Sequence, residues 1–209
     1  QSRFDAATRG ALTPMVGRVH ETRLLEERWE RSRKGEGQVV LLQGEAGIGK
    51  SRLLRAFREQ LGSRVEMALQ YQCSPYYLNS AFYPIIDNFE RALKFTRDEP
   101  PESKLDKLEG LVVTHYGRPI EDVRFLAAML SIPGEARYGA ISMTQQKHKD
   151  ETLRALVDLT EAAARKHPTV LLFEDAHWAD PTSLEVLDLL IDRVRTCPLL
   201  IVLTHRPEF

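Results

Sequence analysis

Along this chain the spacing of apolar positions changes repeatedly, and each change marks an element. The run Gln38–Gln43 is short, apolar and bounded by glycines, the pattern of a strand buried on both faces of a parallel sheet. Just beyond it Leu53, Leu54, Phe57 and Leu61 recur at helical spacing. An earlier helix is expected over residues 21–34, with Leu24, Leu25 and Trp29 as its apolar stripe and Gly35-Glu36-Gly37 ending it. Val65, Met67, Leu69 and Tyr71 alternate with more polar neighbours, so residues 65–72 read as a second strand. Residues 169–173 and 199–204 are two further compact apolar runs. Between them Leu184, Leu187, Leu190, Ile191 and Val194 supply the core face of a helix. Strands alternating with helices predict an α/β fold with a parallel, doubly wound sheet.

The middle of the chain breaks this rhythm. From about residue 74 to 147, Pro75, Pro84, Pro100-Pro101, Pro119 and Pro133 separate helical patterns such as 81–95 and 120–130, which reads as a mainly helical insertion. Residues 98–102 are expected to form an exposed turn within it. A long helix over 149–165, with Leu153, Leu156, Val157 and Thr160 facing inward, then returns the chain to the sheet. Residues 1–13 lack apolar periodicity and read as a linker or arm, so the folded domain is expected to run over 14–209.

Chemistry enters with Gly44-Glu45-Ala46-Gly47-Ile48-Gly49-Lys50-Ser51, a full match to G-x-x-x-x-G-K-[ST] placed between strand and helix. That is a P-loop, the phosphate cradle of nucleoside triphosphatases. Glycines let the backbone wrap phosphates and aim N–H groups inward, while the next helix begins with its positive end facing them. Lys50 would reach the β- and γ-phosphates, and the Ser51 hydroxyl would serve Mg²⁺. The third apolar run ends in Glu174-Asp175, the paired carboxylates that such a site needs beside its metal. Glu174 falls at the metal position and Asp175 at the water-activating position, or the two roles are exchanged, and both are candidate Mg²⁺ groups. Asp180 and Pro181 suit the cap and first turn of the following helix, and His177 reads first as a structural hydrogen-bonding histidine, with phosphate sensing or a bridge to a neighbour as its alternatives. Thr204 or Arg206, ending the last strand, could meet the γ-phosphate.

Composition narrows the classes. With 209 residues, a formal net charge of −1 and no apolar run long enough to span a bilayer, a cytoplasmic soluble domain is expected, without a membrane role or a generic nucleic-acid surface. The two cysteines, Cys73 and Cys197, have no metal-type spacing and read as core thiols. The non-methionine start and the stop just after a strand make this read as a fragment of a longer protein.

The chain resembles the STAND and AAA-type signalling ATPases, in the branch that accompanies bacterial class III adenylate or guanylate cyclases and large LuxR-type regulators. Four segments carry the likeness: Pro14-Met15-Val16-Gly17-Arg18, Gly44 to Ser51 with Arg52-Leu53-Leu54, Leu172 to Asp180, and Leu203 to Phe209. The resemblance implies a three-layer α/β/α P-loop fold with the acidic strand next to the P-loop strand, and a lid domain that this sequence lacks. It makes Val16, Gly17 and Arg18 contacts of the nucleotide, together with Gly44, Glu45, Ala46, Gly47, Ile48, Gly49, Lys50, Ser51 and Arg52. It also makes Arg206 a nucleotide sensor. The expected function is an ATP/ADP switch of modest Mg²⁺-dependent turnover that controls a linked output domain, with nucleotide-dependent self-association. Glutamate in the metal position departs from the family pattern and places efficient hydrolysis in question. The rival readings are a non-hydrolysing scaffold for protein assembly and a small-molecule kinase, the latter disfavoured by the lack of a clear basic cluster over the loop.

Overall fold

The computed structural model describes residues 17–208, so the expected arm over 1–13 and the family-like residues Pro14, Met15 and Val16 lie outside the described residues. Four parallel strands, β1 (Gln38–Gln43), β2 (Met67–Gln72), β3 (Thr169–Glu174) and β4 (Leu199–His205), form one sheet in the order β1-β4-β3-β2. The P-loop strand and the acidic strand are therefore not neighbours. β4 lies between them, pairing Val40 with Val202 on one side and Leu171 with Ile201 on the other. Burial explains the order: β3 is buried along its whole length and β4 up to Thr204, so the two most continuously apolar runs take the interior. β1 is at an edge among the described residues, with Leu41 61% exposed, rather than buried on both faces as its composition predicts.

Alternation along β3 sends Val170 and Leu172 to one face and Leu171 and Phe173 to the other. On the first face α1 (Val19–Arg33) and α2 (Lys50–Leu61) bring Leu25, Trp29, Leu53, Leu54, Phe57 and Leu61 against the sheet. Each such side chain contributes about 1.5–3 kcal/mol by leaving water. Leu24, expected in the same stripe, is instead exposed.

The second face carries α6 (Gln145–Lys166), α7 (Pro181–Arg193) and the insertion, giving the expected three layers. The insertion's main helices are α3 (Tyr83–Ala92), α4 (Pro101–Glu109) continuing into a π-helical segment Gly110–His115, and α5 (Ile120–Met129), with short helical turns at Pro75–Tyr77 and Glu135–Tyr138. α4 was not anticipated. Its buried stripe is only Leu105 and Leu108, and the expected turn closes at Pro100, where Pro101 takes the first helical position. α6 starts earlier than its apolar stripe because the Thr144 hydroxyl accepts the Lys147 N–H at 3.3 Å. No helix among the described residues is long and apolar enough to cross a membrane.

Candidate functional site

In a parallel sheet the carboxyl ends of all strands open on one edge, and chemistry gathers there. At this edge β1 runs into the Gly44–Gly49 loop, β3 into Asp175 and β4 into Arg206. Gly47 and Gly49 hold φ values of +80° and +97°, where an added Cβ would meet nothing within 4 Å; they are required by conformation rather than by space. Gly44 N–H donates to the His205 carbonyl at 3.2 Å, which ties the loop to the end of β4. α2 starts at Lys50 after Gly49, which makes no side-chain cap, and its first turn, formed by Lys50, Ser51 and Arg52, lies next to the loop. Lys50 Nζ lies across the loop and donates to the carbonyls of Gly44 at 2.5 Å and Glu45 at 3.0 Å. Ala46 and Ile48 are exposed in the loop.

The Gly17-Arg18 turn meets the loop directly. Arg18 adopts a left-handed conformation, φ 58°, and its Nη2 donates to the Ile48 carbonyl at 3.2 Å while Nη1 pairs with Glu21 at 2.6 Å. Val16 lies outside the described residues.

Glu174 is 5% exposed at the end of β3. Burial pushes its carboxyl upward and the neighbouring Asp175 charge adds to this, against hydrogen bonds from Gln70 and Ser51 and the charge of Arg58. The Ser51 contact joins the head of α2 to the acidic strand. Gln70 is the partner that reading the sequence missed: its Nε2 donates to Glu174 Oε1 at 2.8 Å and its Oε1 accepts from Arg58 Nη1 at 3.0 Å. Its carbonyl accepts from Arg91 Nη2 at 3.0 Å and Asn88 Nδ2 at 3.3 Å on α3. Gln72 Nε2 reaches Asp175 Oδ2 at 3.4 Å. The alternation of β2 marked both glutamines as polar but could not say that a carboxylate strand faces them.

Asp175 sits in the left-handed region, φ 55° and ψ 48°, which costs a non-glycine residue about 1–2 kcal/mol. Its N–H donates to the buried Thr204 hydroxyl at 2.8 Å, and its carbonyl accepts from Trp178 N–H at 2.8 Å. The 3-10 turn that follows, Ala176–Trp178, lays Trp178 beneath Arg206, whose guanidinium carbon is 5.6 Å from the indole centroid. Thus β4 does deliver Arg206 to the side of the acidic strand, stacked on an aromatic ring.

The structural hydrogen bond expected of His177 does not occur. Both ring nitrogens are shielded from solvent, yet neither has a hydrogen-bond partner among the described residues. Burial lowers its tendency to take up a proton, Asp175 opposes this, and Arg206 and Lys50 reinforce it. Asp180, by contrast, does more than cap α7: its Oδ1 accepts from Ser183 N–H at 2.9 Å and from Phe82 N–H at 3.1 Å, so it also anchors the start of the insertion. Cys73 and Cys197 are free and buried, and burial pushes both thiols up, as core cysteines require.

The donor set suits a hard cation. Among the described residues no group of three or more His, Cys, Asp or Glu side chains could hold a metal. The Ser51 hydroxyl and the Glu174 carboxylate could supply the sparse oxygen set that suits Mg²⁺ when phosphates provide the remaining ligands.

Two comparisons bear on this arrangement. The uncharacterized protein R02095 of Rhizobium meliloti (strain 1021) is 30% identical over 198 residues, which is 94% of this chain but 19% of that relative's length. Residues 14–202 match the family described as AAA ATPase domain, a span holding the Gly44–Ser51 loop, the acidic strand and most of β4. This chain belongs to the AAA ATPase domain family.

Proposed function

We propose that this chain is an ATP-binding switch domain with slow Mg²⁺-dependent hydrolysis, acting in the cytoplasm on a linked output domain such as a nucleotide cyclase or a transcription regulator. The observation that carries the reading is the placement of the Gly44–Ser51 loop at the carboxyl edge of the sheet, tied by Gly44 N–H to the end of β4, whose other neighbour is the strand that ends in Glu174. The length of the Rhizobium relative, of which this chain spans 19%, supports the linkage to further domains.

In this reading the N–H groups of Gly44 to Gly49 and of the first turn of α2 grip the phosphates, and Lys50 exchanges the Gly44 and Glu45 carbonyls for β- and γ-phosphate oxygens. Ser51 and Glu174, with Asp175 beside them, would hold Mg²⁺, whose charge would offset that of the phosphates. Asp175 orients water and takes its proton as the water oxygen bonds to the γ-phosphorus and the bond to the β-phosphate oxygen breaks, leaving ADP and phosphate. Arg206 leaves Trp178 to read the γ-phosphate, and Val16, Gly17 and Arg18 border the adenine. Self-association in the ATP state completes the switch.

One observation favours the second reading, a non-hydrolysing scaffold. Burial favours the neutral form of Glu174, which weakens it as a metal ligand. Titration calorimetry with ATP and ADP in Mg²⁺, with phosphate release followed in parallel, separates the two. The switch predicts binding that falls at least tenfold in Lys50→Ala, and slow release that Asp175→Asn abolishes while binding is kept. Binding without release selects the scaffold, and a parent chain that binds neither nucleotide refutes both.

A further inference from the structure

Several buried side-chain nitrogens lack a hydrogen-bond partner among the described residues, but only in His177 are both nitrogens of one ring left so, and that ring stands at the edge where the strands end. A neutral imidazole carries one N–H donor and one acceptor lone pair, and shielding both without a partner forfeits their hydration for no gain. A residue wanted only for packing would be apolar here, and a structural histidine would bond a carbonyl or carboxylate. Buried groups left open in this way call for a partner from outside the chain, which this ring meets when it turns outward from its cover.

The surroundings say which partner. The left-handed Asp175 turns the chain over so that the 3-10 turn carries His177 past the acidic pair, and the ring centroid lies 5.1 Å from that of Trp178, the residue beneath Arg206. Asp175 opens the turn that carries the ring, and Arg206 lies over the neighbouring indole. His177 therefore lies among the groups that would surround the outermost phosphate, on the acidic-strand side, with the P-loop backbone holding the inner ones. A ring N–H is present in either protonation state, so a donor is available there whatever the pH.

We propose that His177 contacts the ligand directly, its ring N–H donating to an oxygen of the terminal phosphate of a bound nucleoside triphosphate and so distinguishing the triphosphate from the diphosphate. This rests on the ATP-site reading above. It adds a discriminating donor that comes from the acidic strand's own turn and not from the P-loop.

The test compares affinity for a non-hydrolysable ATP analogue, AMPPNP, and for ADP, both with Mg²⁺, in the full chain and in His177→Phe, which keeps a buried ring but removes the donor. His177→Gln keeps a donor of similar reach. A charge-assisted hydrogen bond predicts AMPPNP weakened by about tenfold or more in His177→Phe, ADP changed by no more than about twofold, and partial recovery in His177→Gln. Equal loss for both nucleotides would make His177 merely structural and overturn the proposal, as would an unchanged ratio. Should the phenylalanine variant not fold, as judged by its melting transition, the shorter His177→Asn must show the same selective loss. A parent chain that binds neither nucleotide removes the ATP-site reading itself, whereas normal parent binding with an unchanged ratio removes only the role of His177.

Discussion

Glu174 is held between opposing demands. A strand that must be buried to sit inside the sheet ends in a carboxylate that prefers water, and Gln70, Ser51 and Arg58 only partly compensate. A carboxyl raised in the folded state means that ionisation weakens the fold. Stability should therefore rise as the pH falls through the raised value and stop rising once it is below the ordinary value of 4.5. Glu174→Gln keeps a carbonyl oxygen for Gln70 and Ser51 without the charge. It is expected to stabilise the chain at neutral pH and to flatten this pH dependence, while weakening Mg²⁺-dependent nucleotide binding. Urea unfolding at pH 5 and pH 8 reads the first two effects and calorimetry the third. The position of this acid was legible from its apolar run, but the glutamine and arginine that steady it were not, because they come from other elements.

The segments around the P-loop show how similar residues do different work. Gly35-Glu36-Gly37 reads in sequence as one helix-stopping signal, yet the two glycines differ in cause. Gly35 holds φ +87° with open space around it, whereas a Cβ on Gly37 would lie 1.8 Å from the Val194 carbonyl, at the turn that follows α7. Gly37→Ala must therefore push β1 away from that turn, and is expected to cost about 1–3 kcal/mol, visible as a lower melting temperature. The strands and α2 were readable because their apolar periods are long enough to stand out. α4 was not, since its short stripe is completed by Val112 in the π-helical segment, where a helical period does not apply.

Across the whole molecule an ionic cluster joins the insertion to the sheet's second layer. Asp122 of α5 is fully buried and accepts from Arg118 Nε at 2.9 Å and Arg154 Nη2 at 2.9 Å. Asp158 of α6 takes Arg118, Arg154 and, from the end of α7, Arg193 at 2.7 Å. Asp122→Ala leaves Arg118 and Arg154 their pairs with Asp158 but removes the buried acceptor that joins them on α5, and is expected to cost about 1–3 kcal/mol, discounted for the partial exposure of the arginines. Hydrogen exchange should show protection lost first in α5 and the facing part of α6, with β3 and β4 least affected. Through Arg91 and Asn88 the insertion also touches the carbonyl of Gln70, the residue that holds Glu174, so loosening α3 bears on the acidic strand.

The phosphate loop, the paired acids, the strand-ending arginine and the alternation of strands and helices are properties of residues near one another in the chain, and local pattern suffices to read them. Sheet order is a property of pairing. That β4 separates the P-loop strand from the acidic strand, that Gln70 and Gln72 meet the carboxylates, that Arg206 stacks on Trp178 and that His177 finds no partner among the described residues all depend on which strand lies beside which. Hydrophobic burial selects that arrangement by putting the two most continuously apolar strands in the middle, and distant side chains acquire their neighbours from it.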